Sequence, residues 1–437
     1  MRNLLVVAYY FPPCGGGGVV RVKSFVRYLR DNGWRPLVLT VKEKYYPAFL
    51  RDYSSLDGVD QGDIFRTNSF ELAGKVNDKL YSSFSGISNV PGYYSSLKTV
   101  LKKIYHSIFI PDEKLLWLPF ALIEGIRINH NYEPDMIYVT LPPHSSAVIG
   151  FVLGKILRKP LILDFRDDWV GNPYYNSELR WRNALAAKLE KVIVESAELI
   201  ISVTEESKSL FLRKYPNLPE SKFVVIPNGF DPGDLHKFRN GYGFSSRTRD
   251  YIRVIYTGGL WRKRSPVALF EALNIIRRQN GNIPIKLDFY GPYVDEYRQL
   301  ACNMNLTDMI RFHGNIDREK VLMEIHDSDV GLVIIPKEEG GSTAIPGKVY
   351  EYLALKKYVL ALCPIDSALA SLVNRFQLGS VVPMDDSNAI AEAIKRILLL
   401  HKNGRLVFND SNGLLQFFDR SYHAKILAEH LNLICSK

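Results

Sequence analysis

A repeated alternation of short apolar segments with amphipathic segments constrains the fold of this chain more than any other feature. Residues 4–11 form a continuous apolar run, which is typical of a strand buried on both faces of a parallel sheet. A helical pattern at about residues 19–32 and a second strand at 36–41 complete a βαβ unit. The rhythm continues to residue 226 and resumes at residue 253. Strands that alternate with helices in this way specify doubly wound parallel sheets, so an α/β protein is predicted.

The remaining predicted elements follow from the same two periodicities. The strands are at residues 136–140, 161–165, 199–203, 223–226, 253–257, 285–290, 310–312, 330–335, 359–362 and 380–382. The helices are at residues 144–157, 178–196, 205–214, 266–279, 318–326, 367–376 and 388–401, with one or two more in 413–437.

A cluster of turn formers at residues 227–233 separates the two series of strands. A chain of 437 residues is also longer than single hydrophobic cores usually support. We therefore predict an N-terminal Rossmann-like domain at 1–230, with an insertion at 43–130 that is helical in parts, and a C-terminal one at 231–410. A final helix at 411–437 is expected to pack back toward the N-terminal domain. Two such domains would face each other across a cleft at the carboxyl ends of their sheets, where ligands bind in this architecture.

Composition excludes several classes of protein. With 46% hydrophobic and 23% charged residues the chain is globular, and its four widely spaced cysteines favour neither a disulfide framework nor a zinc site. No apolar run is long enough for a transmembrane helix and no signal peptide is evident, so a cytoplasmic protein is expected. The net charge is +10, and the first fifty residues hold eight Lys or Arg against Asp31 and Glu43. Such a basic region suits an anionic membrane, phosphorylated ligands or nucleic acid, although solvated lysines without a partner are the commonest explanation of a moderate excess of charge.

Three loops have the composition of an anion-binding site. Four glycines at residues 15–18 follow the first strand and let a backbone approach a ligand, but their spacing matches neither a dinucleotide-binding fingerprint nor a P-loop. Three consecutive cations at residues 262–264 lie between a strand and a helix, where a polyanion would relieve their repulsion. In the third loop, Pro346 opens a helix that carries Lys348 and Glu351. A solvated basic loop and an ordinary helix start are the alternatives.

The ordered set of these motifs resembles the family 4 glycosyltransferases of the GT-B fold. The set comprises the glycine-rich first loop, the linker at residues 226–231, the strand end at 256–260, the strand at 311–314 and the helix start at 345–354. The resemblance covers nearly the whole chain. It implies a retaining, metal-independent transfer of a sugar from a nucleotide-diphosphate donor that is bound mainly by the C-terminal domain. No cofactor is expected.

The resemblance assigns roles to individual residues. Glu351 matches the second glutamate of an E-x7-E motif, which holds the ribose. Arg264 and Lys348 would neutralise the leaving diphosphate, and His144 would lie near the transferred sugar. The other residues expected to bind the donor are Gly16, Gly17, Gly259, Gly314 and Thr343.

The chain departs from the family pattern at two positions. Thr343 stands where the first glutamate of the motif is expected, and Glu338 or Glu339 would need a shifted loop to replace it. In the R-x4-K phosphate-binding motif, Gly259 occupies the arginine position and Arg264 the lysine position. The sequence from Ile345 to Glu351 resembles a subgroup that acts on bacterial surface-polysaccharide precursors.

The resemblance places Asp164, Arg166 and Asp167 beside the acceptor, which is expected to be lipid-linked or a saccharide. A structural Asp–Arg network and an acid/base pair, as in glycoside hydrolysis, are alternatives for these residues, and a packed side chain is an alternative for His144. We also expect the basic first helix to contact the inner face of an anionic membrane. No nucleic-acid partner is expected. A sugar-nucleotide epimerase or hydrolase and a non-catalytic binder of nucleotide sugars remain alternative functions.

Overall fold

The fold consists of two compact units, Met1–Pro227 with Arg420–Lys437 and Asn228–Asp419. The structure is a computed structural model. It describes residues 1–56, 60–71, 109–172, 175, 177, 179–233, 249–260, 263–281, 283–336, 342–406, 408 and 413–436. The division lies three residues before the predicted boundary, and the last helix belongs to the first unit.

The first unit is built on a seven-stranded parallel sheet in the order β3-β2-β1-β4-β5-β6-β7. The strands are β1 Arg2–Val7, β2 Trp34–Val41, β3 Ile64–Thr67, β4 Met136–Leu141, β5 Leu161–Phe165, β6 Leu199–Ser202 and β7 Phe223–Val225. The helices are α1 Gly17–Tyr28, α2 Leu118–Tyr132, α3 Ser145–Leu157, α4 Arg180–Ser196, α5 Glu205–Lys214 and, at the end of the chain, α13 Arg420–Cys435.

Each face of this sheet has its own hydrophobic core, because successive side chains of a strand point to opposite faces. Leu5 and Val7 of β1 contribute to the core under α2, α3, α4 and α5. Leu4 and Val6 contribute to the core under α1 and α13, and α13 packs directly on α1. Since both faces are covered, the strands are apolar throughout, as the sequence indicates.

The second unit repeats the plan with a six-stranded parallel sheet in the order β10-β9-β8-β11-β12-β13. The strands are β8 Ile252–Thr257, β9 Ile285–Tyr290, β10 Ile310–Gly314, β11 Val330–Ile334, β12 Tyr358–Leu362 and β13 Gly379–Val382. The helices are α6 Val267–Asn280, α7 Asp295–Asn303, α8 Arg318–His326, α9 Gly347–Ala354, α10 Ala368–Arg375, α11 Ser387–Lys402 and α12 Leu414–Phe417.

The predicted doubly wound parallel sheets are confirmed, and most predicted elements agree with the structure to within two residues. The predicted end of the first strand at residue 11 is wrong. The strand ends at Val7, although Tyr9 and Phe11 beyond it are still buried, so apolarity alone did not mark the turn. Helix α7 and the edge strand β3 were not predicted, since both are short.

The predicted insertion at 43–130 holds short 3-10 turns, β3 and α2 among its described residues, whereas residues 72–108 lie outside them. Among the described residues, no helix is both long and apolar enough to span a bilayer.

Candidate functional site

In the second sheet the strand order reverses between β8 and β11. In open α/β sheets, ligands bind at the carboxyl ends of the strands at such a switch point. Three neighbouring strands end there at glycines with left-handed backbone, Gly258 (φ 117°), Gly291 (φ 122°) and Gly314 (φ 72°). The Gly258 N–H donates to the Tyr290 carbonyl at 2.7 Å, and the Gly291 N–H donates to the Gly314 carbonyl at 2.7 Å. A Cβ atom at Gly291 would lie 2.5 Å from the Gly258 carbonyl oxygen. Glycine is therefore required for these turns to approach so closely.

Helix α9 is anchored to this edge by its buried face. The Tyr352 hydroxyl donates to the carbonyls of Ile255 and Leu332, both at 3.3 Å, and the Thr257 N–H donates to it at 3.3 Å. The ring fits because Gly331 has no side chain, since a Cβ atom there would overlap it. One face of this short helix is thus fixed against the end of the sheet.

Lys348 extends from α9 over the end of β8. Its Nζ lies 3.6 Å from the centroid of the Tyr256 ring, a cation–π contact, and a Cβ atom at Gly258 would lie 3.0 Å from it. Burial lowers the pKa of Lys348 well below its usual value, the charge of Arg264 lowers it further, and Glu351 opposes the shift. Among the described residues no side chain or carbonyl accepts a hydrogen bond from this ammonium. The charges of Lys348 and Arg264 therefore lie close enough to repel each other, and the Lys348 ammonium has no hydrogen-bond acceptor within the described structure.

Glu351 lies one turn after Lys348 on the same helix. Arg318, the first residue of α8, donates from Nη1 to Glu351 Oε1 at 2.8 Å. The carboxylate is mostly buried, with 18% of the side chain exposed, whereas 47% of the Arg318 side chain is exposed. The edge thus carries, in order, the positive Arg264 and Lys348, the negative Glu351 and the positive Arg318.

The other predicted donor-binding residues of this unit lie along the same edge or just outside the described residues. The Gly259 carbonyl accepts a hydrogen bond from Tyr256 Oη at 3.0 Å and closes the turn after β8. Thr343 lies half-buried in the segment before α9. Glu338 and Glu339, the two candidates for the missing glutamate, and Arg262 lie outside the described residues.

In the first unit, Arg166 packs against the glycine-rich loop and the end of β4. Its Nε donates to the Leu141 carbonyl at 2.9 Å and its Nη2 to the Pro142 carbonyl, at the end of β4. A Cβ atom at Gly18 would overlap the guanidinium, so the glycine lets the two segments meet. Gly16, with a φ of 103°, precedes Gly17, the first residue of α1. The interactions of Arg166 seen here are with its own unit's backbone, and its prediction as an acceptor-side residue stays a prediction.

Asp164, predicted on the acceptor side, lies in a buried network of the first unit. Arg21 of α1 donates from Nε to Oδ2 at 2.9 Å and from Nη2 to Oδ1 at 2.8 Å, and the Tyr138 hydroxyl donates to Oδ2 at 2.6 Å. Asp164 is fully buried and Arg21 is 2% exposed. These contacts favour the structural network that the sequence left as an alternative, and the acceptor-side role of Asp164 stays a prediction. Asp167, two residues beyond β5, is exposed.

His144, the residue before α3, is buried with 1% of its surface exposed. Its ring stacks on Trp169 at 4.9 Å between centroids and meets the edge of Tyr175 at 4.4 Å. Burial, together with the charge of Arg166, lowers the pKa of His144 to about 3. The imidazole is therefore neutral near pH 7 and cannot donate a proton as an imidazolium. Its Nε2 has no hydrogen-bond partner among the described residues, so it remains able to donate or accept one hydrogen bond.

Two residues of this edge, Arg318 and Tyr256, were not predicted from the sequence to belong to the site. The sequence pattern indicates only a helix at Arg318 and the end of a strand at Tyr256. A helix whose first residue is an arginine, directly after a predicted ligand-binding loop, was an available signal for Arg318. The cation–π contact of Tyr256 depends on the path of the Lys348 side chain and had no signal in the sequence.

Two family models match the chain. One, described as "Glycosyl transferases group 1", matches residues 252–399, and another, described as "Glycosyltransferase Family 4", matches residues 85–234. No curated protein sequence matches the chain significantly. The fold is similar to that of sucrose-phosphate synthase from Thermosynechococcus elongatus, with a TM-score of 0.65 and 17% identity over 100% of both chains. It is also similar to Anabaena HepE in complex with UDP, with a TM-score of 0.63 and 17% identity over 99% of this chain and 100% of HepE.

Proposed function

Because the chain belongs to the glycosyltransferases of the GT-B fold, we propose that it transfers a sugar from a nucleotide-diphosphate donor with retention of the anomeric configuration. The observation that carries the proposal is Lys348, an ammonium held at the switch point of the second sheet with no hydrogen-bond acceptor among the described residues. A group whose pKa is depressed by burial and by Arg264 gains most from an incoming dianion, because the ligand supplies the missing counter-charge.

In this proposal Lys348 and Arg264 hold the diphosphate and stabilise the charge that develops on it as the sugar departs. Preorganised donors of this kind contribute roughly 3 kcal/mol each to a transition state. Glu351 accepts hydrogen bonds from the ribose, and the glycine turns at 258, 291 and 314 keep bulky side chains away from the ligand. The acceptor hydroxyl attacks the face from which the diphosphate leaves, which retains the configuration. These cations do the work that a metal ion does elsewhere, so we propose a metal-independent reaction.

A direct test is to titrate UDP, GDP and dTDP into the full protein, and then to supply the matching nucleotide sugars with a polyprenyl-diphosphate acceptor. We expect one nucleoside diphosphate to bind more tightly than its monophosphate, and the product to keep the donor's anomeric configuration by NMR. EDTA is expected to leave the rate unchanged. Free sugar released without an acceptor would instead indicate a hydrolase, and binding without turnover would indicate a non-catalytic binder.

The acceptor side of the proposal rests on the first unit. We propose that His144 acts there as a neutral hydrogen-bonding group, since its low pKa excludes acid catalysis by an imidazolium near pH 7. A lipid-linked or saccharide acceptor, and a role in surface-polysaccharide synthesis, agree with the resemblance of the segment from Ile345 to Glu351.

We also propose that the enzyme binds an anionic membrane, but through a different surface from the expected first helix. Helix α1 is covered by α13, and its Arg21 is neutralised by Asp164. Arg30 and Arg35 are paired with Asp63. Arg21, Arg30 and Arg35 are therefore engaged by carboxylates, which leaves Arg27 as the exposed cation of α1 and makes the first helix a weaker membrane contact than its composition suggests.

The outer surface of α2, α3 and α4, which we call the α2–α4 face, suits this role. The three helices pack side by side on one face of the first sheet. An interfacial tryptophan with aliphatic neighbours and cations matches an anionic bilayer surface, where apolar groups insert and cations contact headgroups. Its exposed apolar residues are Ile123, Ile126, Ile156, Trp181, Leu185 and Val192, and its exposed cations are Arg127, Lys155, Arg158, Arg180, Lys188 and Lys191.

Trp181, 57% exposed, makes the α2–α4 face testable by fluorescence. We expect the protein to co-sediment with phosphatidylcholine vesicles only when they contain phosphatidylglycerol, and brominated lipid to quench its fluorescence. The triple variant Trp181→Ser, Leu185→Ser, Val192→Ser should lose most of this binding, because the inserted area is removed.

Leu399→Ser, at an exposed leucine of α11, is the matched control and should bind vesicles normally. Unchanged co-sedimentation of the triple variant would contradict the assignment. So would a wild-type dimer that the triple variant converts to a monomer, because a second copy would then cover this face.

A further inference from the structure

We propose that Arg318 is a positioning residue that holds Glu351 for the ribose and makes the site select ribonucleotides over deoxyribonucleotides. This inference rests on the proposed function, because it assigns Glu351 to the ribose of the donor. Arg318 would act through the side chain of Glu351. The sequence pattern indicates only that Arg318 lies in a helix.

The geometry leaves part of the carboxylate free for a ligand. Arg318 Nη1 donates to Oε1 of Glu351 at 2.8 Å, and no described residue donates to Oε2. An ionised carboxylate accepts about four hydrogen bonds, so one arginine contact leaves room for both hydroxyls of a ribose. Because the two residues lie on neighbouring helices, α8 and α9, the contact fixes the side chain from outside its own helix.

The charges explain why a third residue is needed. Glu351 lies three residues after Lys348, a spacing at which opposite charges on a helix attract each other. The charge of Glu351 opposes the lowering of the Lys348 pKa, so the two charges interact. If Glu351 turned back to Lys348, it would neutralise the ammonium proposed to bind the diphosphate. Glu351 forms its ion pair with Arg318, and no ion pair between Glu351 and Lys348 is seen among the described residues, so both groups stay available for the donor in this proposal.

The exposure of the pair is consistent with a positioning role. The Glu351 side chain is 18% exposed, which leaves it accessible to a ligand, whereas the Arg318 side chain is 47% exposed. A guanidinium keeps its charge at any pH of interest and presents a rigid, planar set of donors. Lysine at this position would keep the charge but lose the fixed direction of the hydrogen bond.

The test compares the affinities of UDP and 2′-deoxy-UDP, or of GDP and 2′-deoxy-GDP if GDP binds more tightly, for the full-length wild type, Arg318→Ala, Arg318→Lys and Glu351→Gln. Tightest wild-type binding of dTDP, a deoxyribonucleotide, would overturn the inference. We expect the wild type to prefer UDP about tenfold or more, which is the usual effect of one hydrogen bond to a charged group. Arg318→Ala should reduce this preference to about twofold, mainly through weaker UDP binding, and Arg318→Lys should restore part of it. Glu351→Gln should also lose the preference.

The preference ratio is the decisive readout, because a purely structural role of Arg318 would weaken both nucleotides equally. Equal weakening, or an unchanged ratio in Arg318→Ala, would overturn the inference while leaving the proposed function intact. Failure of the wild type to bind UDP, GDP or dTDP would overturn both proposals. The thermal unfolding temperature of each variant checks that the fold is preserved.

Discussion

Replacing Lys348 with methionine is expected to reduce sugar transfer by roughly 10²–10³-fold, the usual effect of removing one preorganised donor to a developing charge. Nucleoside-diphosphate affinity should fall with it, because the group that meets the phosphates is gone. Calorimetric titration and an initial-rate assay measure the two losses. Methionine retains the length of the side chain and a favourable contact with the Tyr256 ring, so packing is preserved.

The same variant is expected to be more stable than the wild type when no nucleotide is bound. The pKa of Lys348 is lowered in the folded protein, so the folded state binds this proton more weakly than the unfolded chain does. The free energy of unfolding of the wild type should therefore rise with pH between the depressed pKa of Lys348 and the usual lysine value near 10.4. The difference in unfolding temperature between Lys348→Met and the wild type should therefore shrink as the pH rises from neutrality toward 10.

Lys402→Met is the matched control, because Lys402 is exposed at the end of α11 in the same unit. It should change neither nucleotide affinity nor the pH dependence. Two results would count against the site assignment: unchanged nucleotide affinity in Lys348→Met, or a ligand-free variant that is less stable than the wild type at neutral pH.

Removing either member of the Arg21–Asp164 pair is expected to destabilise the first unit by about 3–5 kcal/mol, because the remaining charge would be buried without a partner. We expect this for Arg21→Ala and for Asp164→Asn. The paired variant Arg21→Met, Asp164→Leu should lose less than the sum of the two single variants, since it leaves no buried charge. Tyr138 would still lose its acceptor, so recovery should be incomplete.

Amide hydrogen exchange of α1 and β5 is the appropriate measurement, because it reports on the first unit separately in a protein with two units. Arg27→Ala, at an exposed arginine of α1, is the control and should have little effect. If Asp164 instead contacted the acceptor, Asp164→Asn would slow transfer without faster exchange in β5. That outcome would restore the original acceptor-side assignment.

Single residues show how much of the site could be predicted from the sequence. The anion-binding start of α9 was predicted from Pro346, Lys348 and Glu351, because caps and helix starts depend on residues close together in the chain. The ion pair of Glu351 with Arg318 was not predicted, because it joins residues 33 positions apart. Likewise, the basic character of α1 suggested a membrane contact, yet Arg21 pairs with a carboxylate 143 residues away.

The sequence by itself determined the two parallel sheets and the edge at which ligands are expected. Each apolar strand must be buried on both faces, and the helices between the strands are the only elements that can cover them. Tertiary structure alone decided which charges remain available. The sequence gives the sign of Arg21, Asp164, Lys348 and Glu351, but neutralisation depends on distance and burial. Both are set by strand order and helix packing, which bring distant residues together.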